Sequence, residues 1–193
     1  LRDSSTTKYQ NVDDAPYGGG AGMVMLPEVV CRAVRDIKSK NKIDRVIFPS
    51  PAGHLLTPKK ADELSKLESV LFLCGRYEGV DQRAIDLVVD EEISIGDYVI
   101  TSGELASTVI VDAVCRFIPG VLGNDESAVN ESHQDGLLEH PHYTRPEIFE
   151  GLTVPRVLLE GNHKKIEEWR HAESVKLTET RRKDLFRHYK DKL

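Results

Sequence analysis

Arg45-Val46-Ile47-Phe48, stopped by Pro49-Ser50-Pro51, and Val70-Leu71-Phe72-Leu73-Cys74, closed by Gly75, are the two stretches whose reading decides the fold. Both are short apolar runs bounded by turn residues, the pattern of buried strands. Between them, Thr57-Pro58 sets an N-capping hydroxyl before a proline at the first helical position. Strand, helix, strand at this spacing predicts a parallel α/β sheet with right-handed crossovers.

Upstream, Pro27 opens a helical pattern with Val30, Val34 and Ile37 on one face, fading into Lys38-Ser39-Lys40-Asn41-Lys42. Downstream, the apolar stretch Tyr98-Val99-Ile100 leads to Gly103-Glu104. A long helix follows with Val109, Ile110, Ala113, Val114 and Phe117, and Pro119-Gly120 ends it. Residues 123–136 lose periodicity and fill with Asn, Asp, Glu, Ser and Gly, as a flexible linker or lid does. Asn162 to Ser174 and Thr178 to Tyr189 are expected to be helical, with Ile166, Trp169, Leu185 and Phe186 as apolar contacts. The expected organisation is an α/β body over 1–122, a linker or lid over 123–138 and a small helical domain over 139–193.

With 39% apolar and 30% charged residues among 193, the chain has the make-up of a folded globular protein rather than a disordered one. No apolar run approaches the roughly 20 residues that span a bilayer, so no membrane partner is expected. The start, Leu1-Arg2-Asp3-Ser4-Ser5, offers neither an initiator Met nor a signal peptide, and the chain reads as cytosolic with its true N-terminus upstream. Cys31, Cys74 and Cys115 are an odd number at wide spacing, which suits buried thiols in a reducing compartment rather than disulfides or zinc. The formal charge of -6 is unevenly spread. Residues 156–193 hold 11 Lys/Arg against 7 Asp/Glu, leaving 15 against 25 in the rest. A basic tail on an acidic body fits a polyanion meeting the tail, although Lys-rich helices are often only solvated faces.

Several glycine-rich bends stand out: Tyr17-Gly18-Gly19-Gly20-Ala21-Gly22-Met23, Cys74-Gly75-Arg76-Tyr77-Glu78-Gly79 and Ser94-Ile95-Gly96-Asp97-Tyr98. Such glycines let a backbone turn sharply or a ligand approach closely, and open α/β sheets bind ligands beyond their carboxyl ends. Neither G-x-G-x-x-G nor G-x-x-x-x-G-K-[ST] occurs, which removes the best support for nicotinamide or nucleoside-triphosphate binding. His140-Pro141-His142 supplies only two potential ligands, a weak signal for a metal site, and positioning or RNA contact suits it better.

These three bends, with Arg116-Phe117-Ile118-Pro119-Gly120-Val121-Leu122-Gly123 and His140-Pro141-His142-Tyr143-Thr144-Arg145-Pro146, stand in an order and spacing that closely resemble the tRNA (guanine-N1-)-methyltransferase family TrmD. The resemblance extends to Gly161-Asn162-His163 and Trp169-Arg170 in the tail. It implies an α/β fold of the SPOUT class, with a deep trefoil knot in a parallel sheet and a small helical C-terminal domain. It also implies a strand and helix ahead of Leu1, and a homodimer with active sites shared between subunits. S-adenosylmethionine is the implied methyl donor, held bent by Ser50 and Pro51, by Gly75, Tyr77 and Glu78, and by Ile95, Gly96, Tyr98, Ile100 and Gly103. The implied acceptor is N1 of the guanosine immediately 3′ of the anticodon in tRNA, with Mg²⁺ supporting activity and its ligands unspecified.

Neutral guanine carries a hydrogen on N1, so a base must remove it while charge builds towards O6. A guanidinium near O6 would stabilise that charge as an oxyanion hole does. The resemblance assigns these roles to Glu131 and Arg116. Read without it, Glu131 is a solvated linker carboxylate and Arg116 satisfies the carbonyls of a helix end. Glu131 and Glu139 stand where the family usually has Asp, and Ser102 and Ala106 where Gly and Pro are usual. Lys164, Lys165, Arg170, Arg181, Arg182 and Lys183 are expected to meet tRNA phosphates, which position RNA without reading sequence. The competing expectations are a catalytically inactive RNA-binding module on the same fold, or a knotted methyltransferase acting on another RNA.

Overall fold

The computed structural model describes residues 1–121, 132–133 and 136–191. Six α-helices and seven strands occur among them. Two compact units divide the chain, Leu1–Val121 and Leu122–Leu193.

The first unit is built on a three-stranded parallel sheet of β3 (Arg45–Leu55), β4 (Val70–Phe72) and β5 (Glu91–Ser94), in the order β4-β3-β5. Alternation along the central strand creates two cores. Val46 and Phe48 face one side, packing with Val30, Cys31 and Val34 of α1 (Pro27–Lys40) and Ala84, Ile85 and Val88 of α3 (Gln82–Val88). Ile47 faces the other, with Ile93 of β5, Leu64 of α2 (Pro58–Ser65) and Ile110 of α4 (Gly103–Cys115). The chain steps from β3 to β4 through α2, then back past β3 to β5 through α3 on the opposite face. Reversing direction while keeping right-handed crossovers demands that switch of face. Ahead of α1, a ladder of β1 (Asp13–Asp14) and β2 (Val24–Met25) brackets the first glycine-rich bend.

Local signals explain most boundaries. Thr57 caps α2 by accepting from the Lys60 amide, with Pro58 at the first position as expected. Ser102 caps α4 through the Leu105 amide. At the amino end of the sheet, the Asp44 carboxylate accepts from the Glu68 and Ser69 amides, which hold it below its ordinary range, and so ties the turn before β4 to the start of β3.

Three element readings differ from expectation. β3 does not stop at Pro49: pairing with Ile93 shifts from Pro49 to His54, so residues 50–53 bulge out and the ladder resumes. The sheet's third strand is Glu91–Ser94, which the sequence pattern does not single out, and the apolar Tyr98–Ile100 is an exposed loop; Glu91 is held in the strand by Arg45 at 3.2 Å and Lys60 at 2.8 Å. In the second unit, α5 (His163–Arg181) runs unbroken through residues 174–178, and the break falls at Arg182, before α6 (Lys183–Lys190). No breaker stands at the expected gap, and Thr178 is accommodated by bonding the Ser174 carbonyl one turn back.

That unit also contains a hairpin of β6 (Ile148–Phe149) and β7 (Leu152–Thr153), turned by Glu150 and Gly151 with positive φ at both. Leu137 and Thr178 are buried, and Thr178 Oγ1 accepts from the Leu138 amide at 2.8 Å. The expected linker over 123–138 falls mostly outside the described residues.

Candidate functional site

Where β3, β4 and β5 end at their carboxyl side, three loops and the start of α4 enclose a cleft of about 340 Å³. The size suits a small-molecule ligand. Its floor and walls carry Phe48, Ile93, Ile95, Ile100 and Ala106, and its polar groups include Ser94, Glu78 and Glu104.

Each loop is shaped by its own sequence. Within the bulge of β3, Ser50 Oγ accepts from the Ala52 amide at 3.2 Å, fixing the bend. After β4, the Glu78 amide donates to Met23 and the Met25 amide to Gly79, so the second loop is stitched to the segment leaving the Tyr17–Met23 bend. Tyr77 there adopts φ 61°, a left-handed conformation that costs a tyrosine about 1–3 kcal/mol and is tolerated where surroundings dictate it. After β5, Ser94 Oγ accepts from the Gly96 amide at 3.2 Å, and the Tyr98 ring lies across Gly96. Gly103 allows close packing, since a Cβ there would press to 3.2 Å from the backbone of Cys74 and Gly75.

All ten positions expected to hold the methyl donor line this one cleft: Ser50 and Pro51, Gly75, Tyr77 and Glu78, and Ile95, Gly96, Tyr98, Ile100 and Gly103. Arg76 and Glu104 were not among them, yet both line the cleft and pair at 3.0 Å, joining the second loop to α4. The Ser102 hydroxyl, then the backbone at Glu104 and Arg76, hold the Glu104 carboxyl below its ordinary range. Ser102 therefore both caps α4 and charges the cleft rim. Nothing in sequence spacing signals that pair, whose partners are far apart in the chain.

Arg116 is the C-capping residue of α4, is partly buried, and does not line the cleft. α4 has 13 residues, so its ends stand about 20 Å apart. Glu131 lies outside the described residues. Lys164, Lys165, Arg170, Arg181, Arg182 and Lys183 are all exposed on or beside α5 and α6. Arg170 and Arg181 fall on one face of α5, within about 20° around the axis, while Lys164 and Lys165 point elsewhere. Arg170 holds Glu167 at 2.7 Å and Arg182 holds Asp184 through two bonds. Cys31, Cys74 and Cys115 are free thiols. No described helix is long and apolar enough to cross a membrane.

A parallel α/β sheet wound on both faces, with glycine-bent loops closing a ligand cleft at its carboxyl edge, defines a class of α/β proteins that bind a small molecule at the strand ends. The particular family follows from comparison with known proteins: the family described as tRNA (Guanine-1)-methyltransferase TrmD matches residues 1–188, and the chain belongs to it. Similar relatives named tRNA (guanine-N(1)-)-methyltransferase occur in Bacillus cereus (strain AH820), Bacillus anthracis (strain A0248) and Bacillus thuringiensis subsp. konkukian (strain 97-27). Each is 56% identical over 186 residues, covering 96% of this chain and 76% of the relative.

Proposed function

We propose that this enzyme transfers a methyl group from S-adenosylmethionine to N1 of the guanosine immediately 3′ of the anticodon in tRNA. One observation carries the reading: ten residues drawn from three separate loops and a helix start converge on a single cleft.

The residues suit that cofactor. Apolar walls from Phe48, Ile93 and Ile100 fit a purine ring, and backbone groups of the glycine bends can bond its edge. The carboxylates of Glu78 and Glu104 complement a ligand bearing positive charge. Gly96 and Gly103 let the Tyr98 ring and the Cys74–Gly75 backbone pack closely at the cleft wall, where a Cβ would collide. When bound, S-adenosylmethionine supplies an electrophilic methyl group on a sulfonium.

This chain's own residues do the rest. Glu131 takes the N1 proton of the guanine and Arg116 stabilises charge at O6. With Arg116 at the far end of α4 from the cleft, the arrangement is accounted for by a homodimer that completes each site from both subunits. The β3 bulge and the loops after β4 and β5 are read as a trefoil knot, which membership of this family supports. The second unit docks tRNA through its basic helices. The cytoplasm is the compartment that fits a tRNA substrate. No group of three or more His, Cys, Asp or Glu side chains suited to a metal occurs among the described residues. Mg²⁺ leans on few protein oxygens and keeps its waters, so its support is assigned no protein cage and no step.

The test uses labelled S-adenosylmethionine and tRNA transcripts with or without guanosine 3′ of the anticodon. Methyl transfer is expected only to the former. Glu131→Gln should abolish turnover and leave cofactor affinity intact; cofactor binding without transfer by the unaltered protein would instead support an inactive RNA-binding module, and transfer to another RNA would reassign the substrate.

A further inference from the structure

In the second unit, four rings form a continuous array. His142 and His140 lie 4.8 Å apart between centroids, His140 and Trp169 6.3 Å, and Trp169 and Tyr143 6.2 Å, with interplanar angles of 49° to 58°. Tilted packing of this kind holds the rings together as one array. Aromatic clusters of four usually sit in a core. Here Tyr143 is 49% exposed and the His142 side chain 67% exposed.

The array is held in place from both sides. Leu138 is bonded to Thr178, and Tyr143 reaches Trp169 on the same helix. Nine helical residues span about 13 Å and five extended ones about 16 Å, so residues 138–143 run antiparallel along α5. Leu137 is buried and the Glu139 amide is bonded to Ser132. His142 is positioned by the Glu139 carboxylate at 3.0 Å.

The charges around the rings select an occupant. Lys165 lies one turn before Trp169 on the same face of α5, and Arg145 follows Tyr143 closely; both are exposed. Of the carboxylates around the rings, Glu139 is engaged by His142 and Glu173 by Lys176 at 3.6 Å. Two exposed rings, His142 and Tyr143, flanking the half-buried His140 and Trp169 beside exposed cations suit a polyanion that carries flat rings of its own: single-stranded RNA.

We propose that His142, His140, Trp169 and Tyr143 form a stacking platform for an unpaired nucleobase. This deepens the reading of tRNA as substrate and rests on it, because an anticodon loop presents such bases. It adds a contact of a different kind from the phosphate contacts of the basic helices.

Trp169 is the chain's single tryptophan, so its emission reports on this platform alone. The full chain is titrated with a single-stranded oligonucleotide, the same sequence as a duplex, and inorganic polyphosphate. Quenching of Trp169 is expected with the single strand and not with the other two. Equal quenching by all three would overturn the proposal, since it would mark a general anionic surface. Tyr143→Ala should weaken single-strand and tRNA binding about tenfold or more. Tyr143→Phe, which keeps the ring face, should bind as the unaltered protein does. Should Tyr143→Ala retain its unfolding midpoint and bind RNA normally, stacking is excluded. Methyl transfer is measured separately: loss of selectivity for tRNA with guanosine 3′ of the anticodon, alongside intact single-strand quenching, would sink the substrate reading and leave the platform standing.

Discussion

Gly96 shows how much chemistry hangs on a single missing side chain. Its φ of 144° lies where an L-residue is strained, and an added Cβ would stand 2.6 Å from the Tyr98 ring. Tyr98 is itself anchored, its amide donating to Gly96 and its hydroxyl to Ile95. Gly96→Ala must therefore open the third loop, at about 1–3 kcal/mol of strain. The expected result is cofactor affinity lowered by roughly fivefold to a hundredfold, read by titration calorimetry with S-adenosylmethionine. Unchanged affinity would remove the third loop from the binding site. Residue identity was legible here because a glycine after a strand is a visible mark. The Arg76–Glu104 pair was not, since only folding brings β4's loop to the first turn of α4.

Among elements, legibility followed burial. Val46-Ile47-Phe48 announces itself because both faces of β3 are covered by helices. β5 hid because Glu91 and Glu92 look like a loop; the cations that neutralise Glu91 come from β3 and α2, distant in sequence. The resumption of β3 beyond Pro51 hid for another reason, since proline interrupts a ladder without preventing its return after a bulge. Gly53 sits in that bulge, where a Cβ would meet the carbonyl carbon of Glu92 and the amide of Ile93 at 2.5 Å. Backbone cannot rotate aside as a side chain can. Gly53→Ala is expected to cost about 2 kcal/mol or more and lower the melting temperature by roughly 5–10 °C. A melting temperature equal to the parent's would show that β3 and β5 do not pass so closely.

Across the whole molecule, charge is organised twice, once for stability and once for partners. Asp44, Glu63, Asp81, Glu104 and Asp184 all have carboxyls held below their ordinary range, Glu104 by the Ser102 hydroxyl and the others by backbone amides or by Arg and Lys partners. A depressed carboxyl adds stability above its unfolded pKa, about 4, and that stability is lost as pH falls through the folded value. Urea midpoints should stay level from neutrality to about pH 5 and then fall; Asp44→Asn should make the fall shallower, and an equal slope would discount the Asp44 clamp. The second use of charge lies in the tail. Arg170 and Arg182 are already matched by Glu167 and Asp184, so binding RNA through them exchanges one anion for another. Lys164 and Lys165 stand exposed in the first turn of α5, at the positive end of the helix dipole, where a cation is unfavourable unless an anion arrives. Each phosphate contact of a free cation contributes about 0.7–0.9 to the slope of log affinity against log salt. Replacing Lys164 and Lys165 by Ala should therefore flatten that slope for tRNA by about 1.4–1.8, and replacing Arg170 and Arg182 should flatten it less. The reverse ranking, measured by filter binding from low to moderate salt, would mean that the arginines exchange their partners freely and that the docking surface lies on their faces of the helices.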